Sequence, residues 1–194
     1  VKTDNGGFTD KISVEVLPVS VTGISLDKTS FQGYTNKDGG AALIKAAIEP
    51  ANATNQTIIW SSSDESIATV DDRGFVTFLE NGDVTITAET EDGGFNASAD
   101  ITVFTAVAGV RLNTRKESIN VDETFQLVAT TNPETASNQK VTWESSDESI
   151  VTVDDNGLVS AIATGEGDVT VKTDEGDFFI SCKFEVSDPT AIHG

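Results

Sequence analysis

Four acidic pairs recur at matched places in this chain: Asp64-Glu65 and Asp71-Asp72, then Asp147-Glu148 and Asp154-Asp155. Paired carboxylates are the raw material of a hard-cation site, and calcium takes about 6–8 oxygen ligands. The spacing matches no EF-hand loop. Asp71-Asp72 and Asp154-Asp155 each run into a glycine, Gly74 or Gly157, where an aspartate commonly bonds the backbone of a turn. Turn chemistry is therefore the preferred reading. Calcium is the single cofactor left open, and no residue is assigned as a metal ligand.

Other reactive side chains are few. His193 is the only histidine and lies in the last residues of the chain, so neither half carries a histidine acid, base or metal cluster. Cys182 is the only cysteine, which excludes an intrachain disulfide. It sits on the inward side of an alternating apolar run, where a thiol behaves as a small hydrophobe. Lys45 is a candidate for a Lys–Asn crosslink, but Ile44 and Ala46 alternate with it, so its side chain is expected to face outward. No glycine-rich loop joins a strand to a helix, so phosphate-cradling motifs are missing. No catalytic, cofactor-binding or metal site is assigned, and the chain is expected not to be an enzyme.

The elements holding these residues occur twice. Trp60 is followed by Ser-Ser-Ser-Asp-Glu-Ser-Ile-Ala-Thr-Val-Asp-Asp-Arg-Gly, and Trp143 by Glu-Ser-Ser-Asp-Glu-Ser-Ile-Val-Thr-Val-Asp-Asp-Asn-Gly. A solenoid unit recurs every ~20–50 residues; this spacing is that of a small domain. Acidic residues outnumber basic ones 32 to 12 over the 194 residues, for a formal charge of -20. The excess is even, with 13 acidic and 4 basic side chains in residues 19–104, and 15 and 6 in residues 105–187. A polyanion repels phosphate backbones and anionic membrane surfaces, so neither nucleic acid nor membrane is an expected partner. No apolar run reaches the ~18 residues of a membrane span. The absence of methionine is read as the mark of a piece of a longer protein.

Apolar residues alternate with polar ones, which is the signature of half-buried strands. Phe95, Ala97, Ala99, Ile101 and Val103 do so, as do Phe178, Ile180, Cys182, Phe184 and Val186. In the first repeat, strands are expected near Val21–Leu26, Ala41–Glu49, Thr57–Ser62, Ile67–Val70, Phe75–Phe78, Asp83–Glu89 and Phe95–Val103. Their counterparts are Val107–Leu112, Thr124–Thr131, Lys140–Glu144, Ile150–Val153, Leu158–Ala161, Asp168–Thr173 and Phe178–Val186. Short strands punctuated by Asn-Gly and Asp-Gly turns imply all-β, tandem immunoglobulin-like β-sandwiches. Trp60 and Trp143 are expected to anchor two separate cores. The segment Phe31–Gly40 reads as a long loop with Tyr34, the only tyrosine, near its middle. Gly165-Glu166 reads as an insertion before Gly167. The expected division is 1–18, the terminal hairpin of a preceding truncated repeat; 19–104 and 105–187, two sandwiches; and 188–194, a tail or linker.

The repeat Ile59-Trp60-Ser61-Ser62-Ser63-Asp64, Ile67-Ala68-Thr69-Val70-Asp71, Gly74-Phe75-Val76 and Gly82-Asp83-Val84-Thr85 has its match in Val141-Thr142-Trp143-Glu144-Ser145-Ser146-Asp147, Ile150-Val151-Thr152-Val153-Asp154, Gly157-Leu158-Val159 and Gly167-Asp168-Val169-Thr170. This pattern resembles the bacterial immunoglobulin-like domain of group 2, found in intimin- and invasin-type adhesins and in phage structural proteins. The resemblance implies a non-enzymatic extracellular repeat array, a stalk or adhesion module of a larger bacterial surface protein. The alternative it implies is a structural, decorating or fibre-forming protein of a phage virion. Expected partners are neighbouring domains of the same polypeptide. A host receptor, matrix protein or glycan, and self-assembly, stay open beside them.

Overall fold

The computed structural model describes residues 11–189. The first part of the 1–18 hairpin, Phe8 included, and the tail bearing His193 fall outside the described residues. Residues 11–18 carry no regular secondary structure, and Ile12, Val14 and Val16 are exposed.

The first sandwich contains β1 (Gly23–Leu26), β2 (Ser30–Tyr34), β3 (Ala41–Leu43), β4 (Ala46–Glu49), β5 (Ile58–Ser62), β6 (Ala68–Val70), β7 (Phe75–Phe78), β8 (Gly82–Thr90) and β9 (Asn96–Phe104), with a 3-10 turn at Asp38–Gly40. The second repeats the order with β10 (Gly109–Leu112), β11 (Lys116–Asn120), β12 (Thr124–Gln126), β13 (Ala129–Asn132), β14 (Val141–Ser145), β15 (Val151–Val153), β16 (Leu158–Ala161), β17 (Gly165–Thr173) and β18 (Phe179–Ser187). In each, one layer is a four-stranded sheet, β2-β9-β8-β5 or β11-β18-β17-β14. The opposite layer combines a two-stranded pair, β1-β4 or β10-β13, with a three-stranded sheet, β3-β7-β6 or β12-β16-β15.

Alternation builds the core. On β8, Val84, Ile86 and Ala88 are buried, Thr85 and Thr87 between them are half-buried, and Asp83 and Glu89 on either side are exposed. Val84, Ile86, Ala99, Ile101 and Val103 from one layer meet Ile44, Ala68, Val76 and Phe78 from the other. The second core has Val169, Cys182, Phe184 and Val186 against Leu127, Val151, Val159 and Ala161. Each fully buried Val, Ile or Phe contributes about 1.5–3 kcal/mol, so each cluster holds its own sandwich. Trp60 and Trp143 are half-buried and pack against the edges of these clusters, not at their centres.

Three features depart from the sequence reading. The loop expected over Phe31–Gly40 begins as a strand: β2 pairs in parallel with β9, from Ser30 opposite Asp100 to Tyr34 opposite Phe104. Its inward residues, Phe31 and Gly33, alternate with Ser30, Gln32 and Tyr34 on an edge strand, and the glycine at one inward position hides the pattern. Second, the single strands expected at Ala41–Glu49 and Thr124–Thr131 are each broken. The chain leaves the three-stranded sheet after β3 and joins the β1 pair as β4, and Ile44, wholly buried, sits at the crossing. Third, Gly165-Glu166 is no insertion. Gly165 lies opposite Val186 as Gly82 lies opposite Val103. Both glycines have φ near +150°, at 149° and 150°, with Ile150 and Ile67 packed beneath.

Candidate functional site: the junction between the sandwiches

β9 runs directly into the second repeat through Thr105, Ala106 and Val107, and all three are buried. Burial of a connecting segment exposes its backbone to desolvation, so every polar group there must find a partner. Thr105 N–H donates to Ser137 Oγ at 2.9 Å, and Ser137 N–H returns a bond to the Thr105 carbonyl at 2.8 Å. The Asn36 side chain clamps Ala106 from both sides of the peptide: its Nδ2 donates to the Ala106 carbonyl at 2.8 Å, and its Oδ1 accepts from Ala106 N–H at 3.0 Å. The Thr105 hydroxyl donates to Asn81 Oδ1 at 2.7 Å. Its hydrogen is thereby committed, so in the 2.7 Å contact with Thr35 Oγ1 it is Thr35 that donates. Asn81 Nδ2 reaches onward to the Thr135 carbonyl of the second repeat at 3.1 Å.

A second set of contacts flanks this hub. Tyr34 packs against Phe104 with ring centroids 6.1 Å apart. Lys37 lies over the Tyr34 ring, its Nζ 4.5 Å from the centroid. The same ammonium stands 3.4 Å from Glu175 in the β17–β18 turn of the second repeat. Tyr34 thus does not present itself as a free loop tip; it is half-buried at the junction, as Phe31 is half-buried against the core and edge-on to Phe78.

The first repeat has the amides Asn36 and Asn81 and the hydroxyl of Thr35 at its exit pole. The second has Asp122, Thr164 and Val121 at the corresponding places. The sequence reading missed this hub because Thr and Asn in loops are ordinary turn residues. Aligning the two copies gives the available signal, a pair of asparagine amides in one copy that the other lacks.

The acidic pairs lie apart from the junction. Asp64 accepts from the Ser66 hydroxyl at 2.6 Å and its N–H at 2.9 Å, and Asp147 does the same with Ser149. Asp71 accepts from the N–H groups of Phe75 and Arg73, and Asp154 from those of Leu158 and Asn156. These bonds hold all four carboxyls below the usual aspartate range, the Ser66 and Ser149 hydroxyls leading for Asp64 and Asp147, the Phe75 and Leu158 N–H groups for Asp71 and Asp154. Among the described residues, no group of three or more His, Cys, Asp or Glu side chains is placed to hold a metal ion. Cys182 is buried, and burial first, with Glu117 and Asp168 adding, pushes its thiol up to about 11. Lys45 is exposed. No helix among the described residues is long and apolar enough to cross a membrane.

A model described as bacterial Ig-like domain (group 2) matches residues 20–101 and again residues 106–184. An Ig-like virion protein of Serratia phage KSP90 is 33% identical over 178 residues, covering 89% of this chain and 67% of that protein. An uncharacterised protein of Clostridium acetobutylicum is 33% identical over 184 residues, 94% of this chain but only 19% of its own length. An alpha-L-arabinofuranosidase of Bifidobacterium longum is 36% identical over 115 residues, 56% of this chain and 10% of the enzyme. The N-terminal four Ig domains of Dscam1 superpose with a TM-score of 0.51 at 12% identity, over 88% of this chain and 47% of that one, a likeness of fold. With its all-β layers and two matched repeats, this chain belongs to the bacterial Ig-like domain family, group 2.

Proposed function

We propose that this chain is a stiff, non-enzymatic spacer, a stalk or adhesion segment of a larger extracellular bacterial surface protein. One observation carries the reading: the connection between the sandwiches is buried and hydrogen-bonded on both sides, by Asn36, Asn81 and Ser137. A connection meant to swivel leaves its backbone to water, and inter-domain motion is the default where an interface is small. Here the linker itself is part of the interface, so the two sandwiches keep one orientation and the array projects its ends apart. A net charge near -9 on each repeat, from 13 acidic and 4 basic residues in one and 15 and 6 in the other, keeps such rods soluble and separate.

A second reading places the same rod on a phage virion, and the similarity to the Serratia phage protein over 89% of this chain favours it. Both readings need the rigid junction. Spin labels at Asp72→Cys and Asp155→Cys, exposed and equivalent positions on the two repeats, test it. A single narrow distance distribution is expected, broadened by Asn36→Ala with Asn81→Ala. A broad distribution in the unmutated background contradicts the spacer reading.

A further inference from the structure

The chain enters each sandwich at one pole and leaves at the other. Val21 N–H is held by Asp92 in the β8–β9 turn at the entry pole, whereas β9 ends beside Thr35 at the exit pole. Tension applied to the chain ends therefore pulls the first strands one way and the last strand the other. The strands that take this load are paired so as to resist it. β2 lies parallel to β9 over five residues, and β11 parallel to β18 over five. Strands of one polarity pulled in opposite directions slide along their common axis, across hydrogen bonds that lie transverse to it, so the ladder bonds are loaded together. In a hairpin pulled at its open end they are loaded one at a time. The entry strands add a second patch of the same kind. β1 is held by four residues of β4, and β10 by four of β13, again with the pull along the strand axis.

The two sandwiches differ in what crosses these patches. In the second, Lys116 of β11 is paired with Glu185 of β18 at 2.6 Å, and Arg111 of β10 with Glu134 just beyond β13. The positions equivalent to Lys116 and Arg111 in the first are Ser30 and Ser25, and the positions equivalent to Glu185 and Glu134 are Thr102 and Ala51, so neither ion pair can form. The fourth residue of β2 is Gly33, where the backbone carries no side chain and the Phe78 ring fills the space; its counterpart in β11, Ile119, is buried in the core.

We propose that this chain bears tension along its axis through two shear-loaded strand patches in each sandwich, and that the first sandwich yields before the second. The proposal deepens the spacer reading and rests on it for its use. Its test reads the isolated chain under load, so a rigid junction without graded yielding leaves the spacer standing and sinks only this inference.

The test is single-molecule pulling of the 194-residue chain by its two ends. A flexible insertion between Gly93 and Gly94 lengthens the first sandwich's release and so identifies its step. The first sandwich is expected to open first. Arg111→Ala and Lys116→Ala should each speed opening of the second sandwich by between about 1.5-fold and 5-fold, the worth of one exposed ion pair, and leave the first unchanged. At 1 M salt, where the screening length falls to about 3 Å, the difference made by these variants should close. Lys172→Ala is the control. It removes an ion pair of the same kind, to Asp177, inside the β17–β18 hairpin and off the load path, so it should not change the loaded rate. Opening of the second sandwich first overturns the proposal. So does a loaded rate indifferent to Arg111→Ala and Lys116→Ala, or equally sensitive to Lys172→Ala.

Discussion

Gly74 lies directly against the indole of Trp60: a Cβ placed on it would stand 2.7 Å from the ring and 2.4 Å from the Ile44 carbonyl oxygen. Gly157 repeats the relationship with Trp143, at 2.8 Å from the ring and 2.7 Å from the Leu127 carbonyl oxygen. Both glycines have positive φ, 77° and 81°. The repeated Asp-Asp-x-Gly turn and the repeated tryptophan are thus one device, in which the turn passes so close to the ring that no side chain fits.

Gly74→Ala is therefore expected to cost more than the about 1–3 kcal/mol of a residue forced into that backbone region alone, because the ring and the Ile44 carbonyl must both move. Trp60→Ala should cost about 3 kcal/mol, the low end of the large-to-small range for aromatics, since the indole is half-buried. Both changes should lower the melting of the first sandwich and leave the Gly157–Trp143 sandwich nearly unchanged. Calorimetry resolving two transitions checks this, and a common shift of both transitions contradicts it.

Thr105→Val keeps the shape of the side chain and removes the hydroxyl that links Thr35 to Asn81. It takes the donor from the Asn81 amide oxygen, which lies partly buried on an otherwise exposed residue, at a cost of about 0.5–1.5 kcal/mol. That cost falls on the coupling between the sandwiches. The expected result is a wider separation of the two unfolding midpoints in urea and a broader inter-repeat distance distribution, with neither core altered in its near-ultraviolet dichroism.

Much of the fold is legible in the residues, and the exceptions have physical causes. β7 spans Phe75–Phe78 as expected, because a short run carrying Val76 and Phe78 on its inward face follows a turn that only glycine completes. β2 and β11 escaped because an edge strand needs one inward residue in two: in Ser30-Phe31-Gln32-Gly33-Tyr34 one of those is glycine, and in Lys116-Glu117-Ser118-Ile119-Asn120 only Ile119 is apolar. The break after β3 escaped because alternation runs straight through Ile44 while the strand changes sheets. The junction was the least legible part. Asn36, Asn81 and Thr105 are far apart in sequence, and only the fold brings their polar atoms together around the buried linker.

Acid should destabilise both sandwiches. The carboxyls of Asp64, Asp71, Asp147 and Asp154 are held below their ordinary value by hydrogen bonds. A folded value lower than the unfolded one gives stability that is complete above the unfolded value, about 3.9. It is lost as pH falls through the depressed folded values. Melting temperatures should hold from pH 7 to about 5 and fall below about 4. In Asp71→Asn with Asp154→Asn, the fall below pH 4 should be shallower. An unchanged acid limb in that variant contradicts the assignment.

Cys182 offers a reporter for opening of the second sandwich alone. Its thiol lies in the core beside Phe184 and Val186, and burial pushes it up to about 11, so at neutral pH it is neither accessible nor ionised, and the thiolate is the reactive form. Modification by a small disulfide reagent in native buffer must therefore wait for that sandwich to open. Its rate should reach a limit tied to the opening equilibrium, well below the rate of a free thiol. Trp143→Ala should raise it by about two orders of magnitude or more, the conversion of a core loss near 3 kcal/mol. Trp60→Ala, in the other core, should not change it. Rapid labelling of the unmutated chain, or equal acceleration by the two tryptophan variants, would show that the second sandwich does not close its core independently of the first.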